Sequence, residues 1–197
     1  VAESFRRLLR VFQEIRGERK IFLFLIAFFF YIDGVYTIID MATAFGSALG
    51  FTSTTLLLAL LLTQIVAFPC ALLFGWLAPK YENGTLIRIC IVAYGAIALF
   101  AVQLDKSWEF WFLAVCVGMF QGGIQALSRA YFAKIIPAEK SGEYFGLYDI
   151  FGKGAAFMGT TLVGFGAQLT GSLNIGVSVI FVLFVIGFLL FEKAVRA

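Results

Sequence analysis

The sequence predicts an all-α polytopic membrane protein with six transmembrane helices, and three observations carry that prediction. Apolar residues make up 61% of the 197 residues and charged ones 14%, against roughly 45–50% and about 25% in soluble domains. Six apolar stretches are each long enough to cross a bilayer, which takes about 20 residues in a helix. The cations between those stretches fall almost entirely on alternate connections. A soluble fold with 24 phenylalanines and a mean hydropathy of +0.96 would have too little interior to hide them.

Residues 1–19 form a segment of their own. Phe5, Leu8, Leu9, Phe12 and Ile15 recur every three or four residues while arginines take the other face. That pattern predicts a basic amphipathic helix lying in the headgroup region. The transmembrane domain then occupies 20–197, with spans expected at 20–47, 52–79, 84–104, 108–136, 141–168 and 172–192. GSALGFTSTT, PKYENG, QLDKSWE, IPAEKSGE and LTGSLN separate them. Pro79 and Pro137 stand where helices should stop, and Ser53 and Ser141 are the expected N-caps. Pro69 lies inside the second span and is expected to kink it.

Charge sets the expected orientation. Arg6, Arg7, Arg10, Arg16, Arg19 and Lys20 precede the first span, Lys80 and Arg88 flank the second loop, Lys134 and Lys140 the fourth, and Lys193 and Arg196 end the chain. The opposite side holds only Lys106. Cytoplasmic loops carry the excess of Lys and Arg, so both termini are expected in the cytoplasm. The net charge of +3 belongs to this topology, and no nucleic-acid partner is expected.

Polar residues inside the spans are the candidate site. A charge at the bilayer centre costs about 2.5–3.5 kcal/mol on insertion scales and normally faces a cavity or a partner. Asp33, Thr37 and Asp40 share one face of the first span; Gln121, Gln125 and Arg129 form a stripe on the fourth; Asp149 and Lys153 are one turn apart on the fifth. Asp33 is read as a ligand for solute or a coupling proton, and Asp40 as a second ligand or a hydrated mouth residue. Gln121 and Gln125 either bind solute or bridge helices. Arg129 and Asp149 lie at matching depths of about 12 Å from the ends of adjacent antiparallel helices, so they are expected to pair as a gate or a structural link. Lys153 reaches about the depth of Asp33, a second possible pair. Gly118 with Gly122, Gly142 with Gly146, and Ala155 with Gly159 are small-xxx-small pairs expected to bring helices close.

Little else in the chain carries chemistry. Cys70, Cys90 and Cys116 sit in apolar runs with no C-x-x-C pair, and there is no histidine. No nucleophile elbow, phosphate-binding loop or zinc-binding motif occurs. Neither an enzyme activity nor a metal or cofactor is expected. The first residue is Val1 rather than Met, as expected of a piece of a longer protein or a processed chain.

YIDGVYTIIDMA (31–42), TQIVAFPCALLFGWLA (63–78), GMFQGGIQALSRAYFAKIIP (118–137) and EYFGLYDIFGKGAAFMG (143–159) resemble the C-terminal half of a major facilitator superfamily transporter. The likeness is closest to the branch holding vacuolar amino-acid effluxers and their bacterial relatives. It implies two inverted three-helix repeats within this half, a missing N-terminal six-helix half, and a solute site between the halves lined by the first and fourth spans. The partners so implied are a small polar solute such as an amino acid, protons and the lipid bilayer, in a bacterial plasma membrane. Alternatives are a half-transporter acting as a homodimer, or a non-transporting scaffold or sensor. GWLAPKYENG (75–84) departs from the superfamily loop motif: Pro79 replaces the acid that latches the gate, a task that Asp149 and Arg129 are then expected to share.

Overall fold

The computed structural model describes residues 2–48, 50–104, 106–171 and 173–197, and the side chains of these outside 2–9 and 173–177. Among the described residues seven α-helices follow one another: α1 (Ala2–Gly17), α2 (Arg19–Ala48), α3 (Ser53–Leu77), α4 (Asn83–Val102), α5 (Ser107–Ile135), α6 (Ser141–Thr170) and α7 (Leu173–Arg196). A 3-10 turn, Ala138–Lys140, leads into α6. Among the described residues, five helices are long and apolar enough to cross a membrane, namely α2, α3, α4, α5 and the Ser178–Arg196 part of α7. The sixth expected span, α6, has the length, at 30 residues, but glycines, threonines and the Asp149 and Lys153 charges dilute its apolarity. It nevertheless runs along α2, with Tyr148 stacked on Phe28 at 4.1 Å and Gly159 against Asp33.

The helix ends follow their local chemistry. Thr52, not the expected Ser53, caps α3: its side chain accepts from Thr55 N at 3.3 Å. Ser141 is the first residue of α6, and the cap position falls on Lys140 because the 3-10 turn takes up the entry. Ile136, before Pro137, is extended at ψ 153°, as a residue preceding proline must be. α3 ends at Leu77, two residues before Pro79, and stays helical through Pro69. At the end of α6, Gly171 adopts φ 67° and its N–H bonds Ala167 O, a left-handed cap that suits glycine.

α2 is the buried centre, packing on α7, α6 and α5, while α3 packs on α5, and α4 on α7 and α5. Exchanging α2, α3 and α4 for α5, α6 and α7 maps these neighbours onto each other: α2 on α6 becomes α5 on α3, and α2 on α7 becomes α5 on α4. α2 and α5 run in opposite directions, since Phe24 meets Phe132 while Gly46 lies near Phe110. The correspondence is partial, since α6 also packs on α7 whereas α3 and α4 barely meet. Leu57, Leu61, Ile65, Phe68, Leu72 and Trp76 make an exposed stripe down α3, an apolar surface that lipid solvates.

The small-residue pairs divide. A Cβ at Gly118 would stand 2.6 Å from Thr63 O, and one at Gly122 2.8 Å from Ala71 Cβ, so α5 sits directly on the α3 backbone. Gly142 and Gly146 have nothing within 4 Å of that position. The close packing expected of them is absent because they lie on an uncovered face of α6.

The second half of α1 packs against the rest of the protein. Val11 and Ile15 are buried, Phe12 meets Phe22 edge-on at 6.4 Å, and Lys140 Nζ donates to Glu14 Oε2 at 2.7 Å. The apolar face there packs on the bundle, with the 3-10 turn and α6 beside it. The side chains of Phe5, Arg6, Arg7, Leu8 and Leu9 lie outside the described residues.

Candidate functional site

One face of the bundle opens as a polar groove of about 410 Å³ between α2, α5 and α6. Helical periodicity supplies its walls. Phe28, Ile32 and Tyr36 recur every four residues on α2; Gln125 and Arg129 do so on α5, and Asp149 and Lys153 on α6. Two cations, one carboxylate and one amide thus face a common space lined otherwise by aromatic and aliphatic carbon.

Arg129 is held from two sides. Its Nη1 stands 3.4 Å from Asp149 Oδ1, and its guanidinium lies 5.0 Å from the Phe145 ring centre and 5.9 Å from that of Tyr148. The cross-helix approach expected of Arg129 and Asp149 is therefore present, at a length and exposure (57% and 49%) that make it a weak bond, worth about 0–1 kcal/mol. Such a pair can part for a ligand. Lys153, one turn beyond Asp149, is exposed in the same groove, and no ion pair holds it among the described residues.

Asp33 and Thr37 do not line the groove. Both are 0% exposed, turned into the α2–α6 contact and away from the groove. Asp33 Oδ1 accepts the Gly159 N–H at 2.8 Å, while Asp33 Oδ2 and Thr37 Oγ1 are buried without a hydrogen-bond partner. Glycine at 159 is the cause: a Cβ there would run into Thr37 Oγ1 and Asp33 Oδ1, so its absence lets α6 close over them. The second expected pair, Asp33 with Lys153, is not formed. Lys153 and Gly159 are six residues apart and so about 120° apart around α6, with one facing the groove and the other facing Asp33.

The remaining candidates scatter. Asp40 is exposed and lies outside the groove lining. Gln121 is half-buried with Oε1 unpartnered, off the groove, whereas Gln125 lines it. Tyr36 and Tyr148 line the groove as well and were not singled out from the sequence. Tyr148 adjoins Asp149, but so many aromatics crowd this chain that the signal is lost. Off the groove, Tyr31 Oη and Ser128 Oγ share a buried 2.7 Å hydrogen bond between α2 and α5. In the departing loop, Lys80 Nζ sits 3.1 Å from the Trp76 ring centre, a cation on an aromatic face instead of an acid.

Comparison with known proteins agrees with this architecture. The family model described as "Vacuole effluxer Atg22 like" matches residues 1–196. An uncharacterized MFS-type transporter, YxiO, of Bacillus subtilis is 47% identical over 187 residues, covering 95% of this chain and 44% of its own length. Autophagy-related protein 22 of Saccharomyces cerevisiae is 32% identical over 165 residues, covering 78% of this chain and 31% of its own length. That of Yarrowia lipolytica is 28% identical over 184 residues, 88% of this chain and 31% of its own. The chain thus spans less than half the length of these relatives. Matched by the family model along nearly its whole length, the chain belongs to the vacuole effluxer Atg22-like family.

Proposed function

We propose that this chain is the C-terminal six-helix half of a secondary active transporter that moves a small polar solute by alternating access. The observation that carries the reading is the groove on α2, α5 and α6, which sets Arg129 and Lys153 against Asp149 beside the Gln125 amide. Both charge signs within one small space suit a zwitterion, and amino acids are the proposed substrate class. The carboxylate of the solute goes to the cations and its ammonium to Asp149, displacing the weak Arg129–Asp149 contact. The wall opposite comes from an N-terminal half, or from a second copy.

Asp33 is proposed as the proton-exchanging group, supported by its burial, its unpartnered Oδ2 and its bond to α6. Both termini are proposed to face the cytoplasm of a bacterial plasma membrane. The cation asymmetry and the Bacillus relative support that.

Uptake of radiolabelled amino acids by proteoliposomes holding the full-length protein tests the function. The expected result is a KM raised by about tenfold or more in Lys153→Gln and Gln125→Ala, with the thermal midpoint unchanged. No pH-driven uptake of any amino acid by the wild type, or unaltered KM in both variants, would overturn the assignment.

A further inference from the structure

On the far side of the bundle from the polar groove, α4 and α7 enclose a second, apolar groove of about 330 Å³. The two sides are distinguished on α2 itself. Tyr31 and Gly34 meet α7 at Gly187 and Phe184, whereas Ile32 and Tyr36 line the polar side. Gly95 and Ala96 make the dent in α4, and Phe181 and Phe188 of α7 form its wall. Val92, Leu99, Val185 and Leu189, also in its lining, are 40–59% exposed.

The groove is continued by charge. Arg88 stands one turn before Val92, Glu192 one turn after Phe188, and Lys193 one turn after Leu189, so the helical repeat carries both walls onto ionic groups. Arg88 Nε is bonded to Glu192 Oε1, and Arg196 Nη2 lies 3.7 Å from Glu192 Oε2. Two cations therefore hold one carboxylate, Lys193 follows it on α7, and Glu82 stands at the α4 N-cap. Lys193 and Arg196 are exposed, Arg196 by 81% in its side chain. Gly95 is seven residues from Arg88, about 10 Å along the helix, which is the distance from a headgroup to the upper part of its acyl chain.

We propose that this groove is a binding site for an anionic phospholipid, with one acyl chain in the Gly95–Ala96 dent and the phosphate against Lys193 and Arg196. Apolar length and excess positive charge come together here, and only an amphiphile of negative headgroup satisfies both at once. The site rests on the membrane reading of the chain and is independent of the solute path.

Native mass spectrometry of the full-length protein in detergent, with phosphatidylglycerol and phosphatidylcholine of identical chains, tests it. Phosphatidylglycerol is expected to bind several-fold tighter. Lys193→Gln with Arg196→Gln should erase that preference, at about fivefold per cation, leaving phosphatidylcholine unchanged. Ala96→Phe, at an exposed position, should weaken both lipids while the thermal midpoint holds. Equal binding of the two lipids by the wild type would overturn the proposal, as would adducts insensitive to Ala96→Phe. A dimer that Ala96→Phe converts to monomer would instead assign the groove to a second copy and equally overturn it.

Discussion

The carboxylate of Asp33 on α2 takes the backbone N–H of Gly159 on α6 at 2.8 Å, so the two helices are joined through a main-chain group of α6. In a regular helix that N–H belongs to Ala155 O. Asp33 thus reaches into the hydrogen-bond ladder of α6, and the missing Cβ of Gly159 is what admits it. Any movement of α6 against α2 must break or carry this contact.

Gly159→Ala is expected to destabilise the protein by about 1–3 kcal/mol, the usual cost of overpacking, because the new methyl meets Thr37 Oγ1 and Asp33 Oδ1. Thr37→Ala should recover part of that loss in the double variant, since the two sites share one space. Thermal unfolding in detergent reads both. Strictly additive losses would show that Thr37 does not bound the contact.

Asp33→Asn keeps a carbonyl oxygen for the Gly159 N–H and removes the ionisable group. Its thermal midpoint should stay near the wild type, while Asp33→Leu, which leaves no acceptor, should lose about 1–3 kcal/mol. If Asp33 exchanges the coupling proton, Asp33→Asn abolishes pH-driven uptake and retains solute exchange between preloaded vesicles. Persisting pH-driven accumulation would remove Asp33 from that role.

Arg129→Asp and Asp149→Arg should each change stability by no more than about 1 kcal/mol, since the pair is exposed and 3.4 Å long. Their effect on uptake should be far larger, because Arg129→Asp sets two carboxylates together in the groove and Asp149→Arg leaves three cations there with no acid. The reversed double variant should regain a measurable part of uptake if the pairing gates the path. A double variant as inactive as the singles would show that the individual charges, rather than their pairing, are required.

Glu14→Gln should loosen the second half of α1, read as faster amide exchange over residues 10–17 than in the wild type. The hydrogen bond from Lys140 to Glu14 raises the Lys140 pKa above its ordinary value. Its contribution is therefore complete below about pH 10.5 and fades only as the pH climbs through the raised value. Salt, not mildly alkaline buffer, should mimic Glu14→Gln at this exposed pair.

The helices were legible because each is a local matter: apolar length, turn residues and prolines place their ends within a residue or two, except that α7 runs four residues past the expected 192, to Arg196. Arg129 and Asp149 were legible as neighbours because both lie eight residues from the α5–α6 turn, and a short turn fixes the relative depth of the helices it joins. Asp33 with Lys153 failed on the other coordinate. Depth follows from counting residues, but rotation about the axis depends on which neighbour each face meets, and α6 turns Gly159, not Lys153, toward Asp33. The glycine pairs show the same limit: Gly118–Gly122 and Gly142–Gly146 have identical spacing, yet only the first has a helix lying on it.

By itself the sequence determined that the chain is a bundle of membrane helices, which residues carry charge into it, and how deep each lies. Backbone hydrogen bonding, hydropathy and helical rise are all local or periodic properties. The tertiary structure alone decided which polar residues share a space. It set Gln125, Arg129, Asp149 and Lys153 around one groove and sealed Asp33 and Thr37 beneath Gly159. It also laid the apolar α4–α7 groove against three cations. The physical reason is that helix rotation and neighbour choice follow from close packing between distant segments, where the presence or absence of a single Cβ settles which faces can meet.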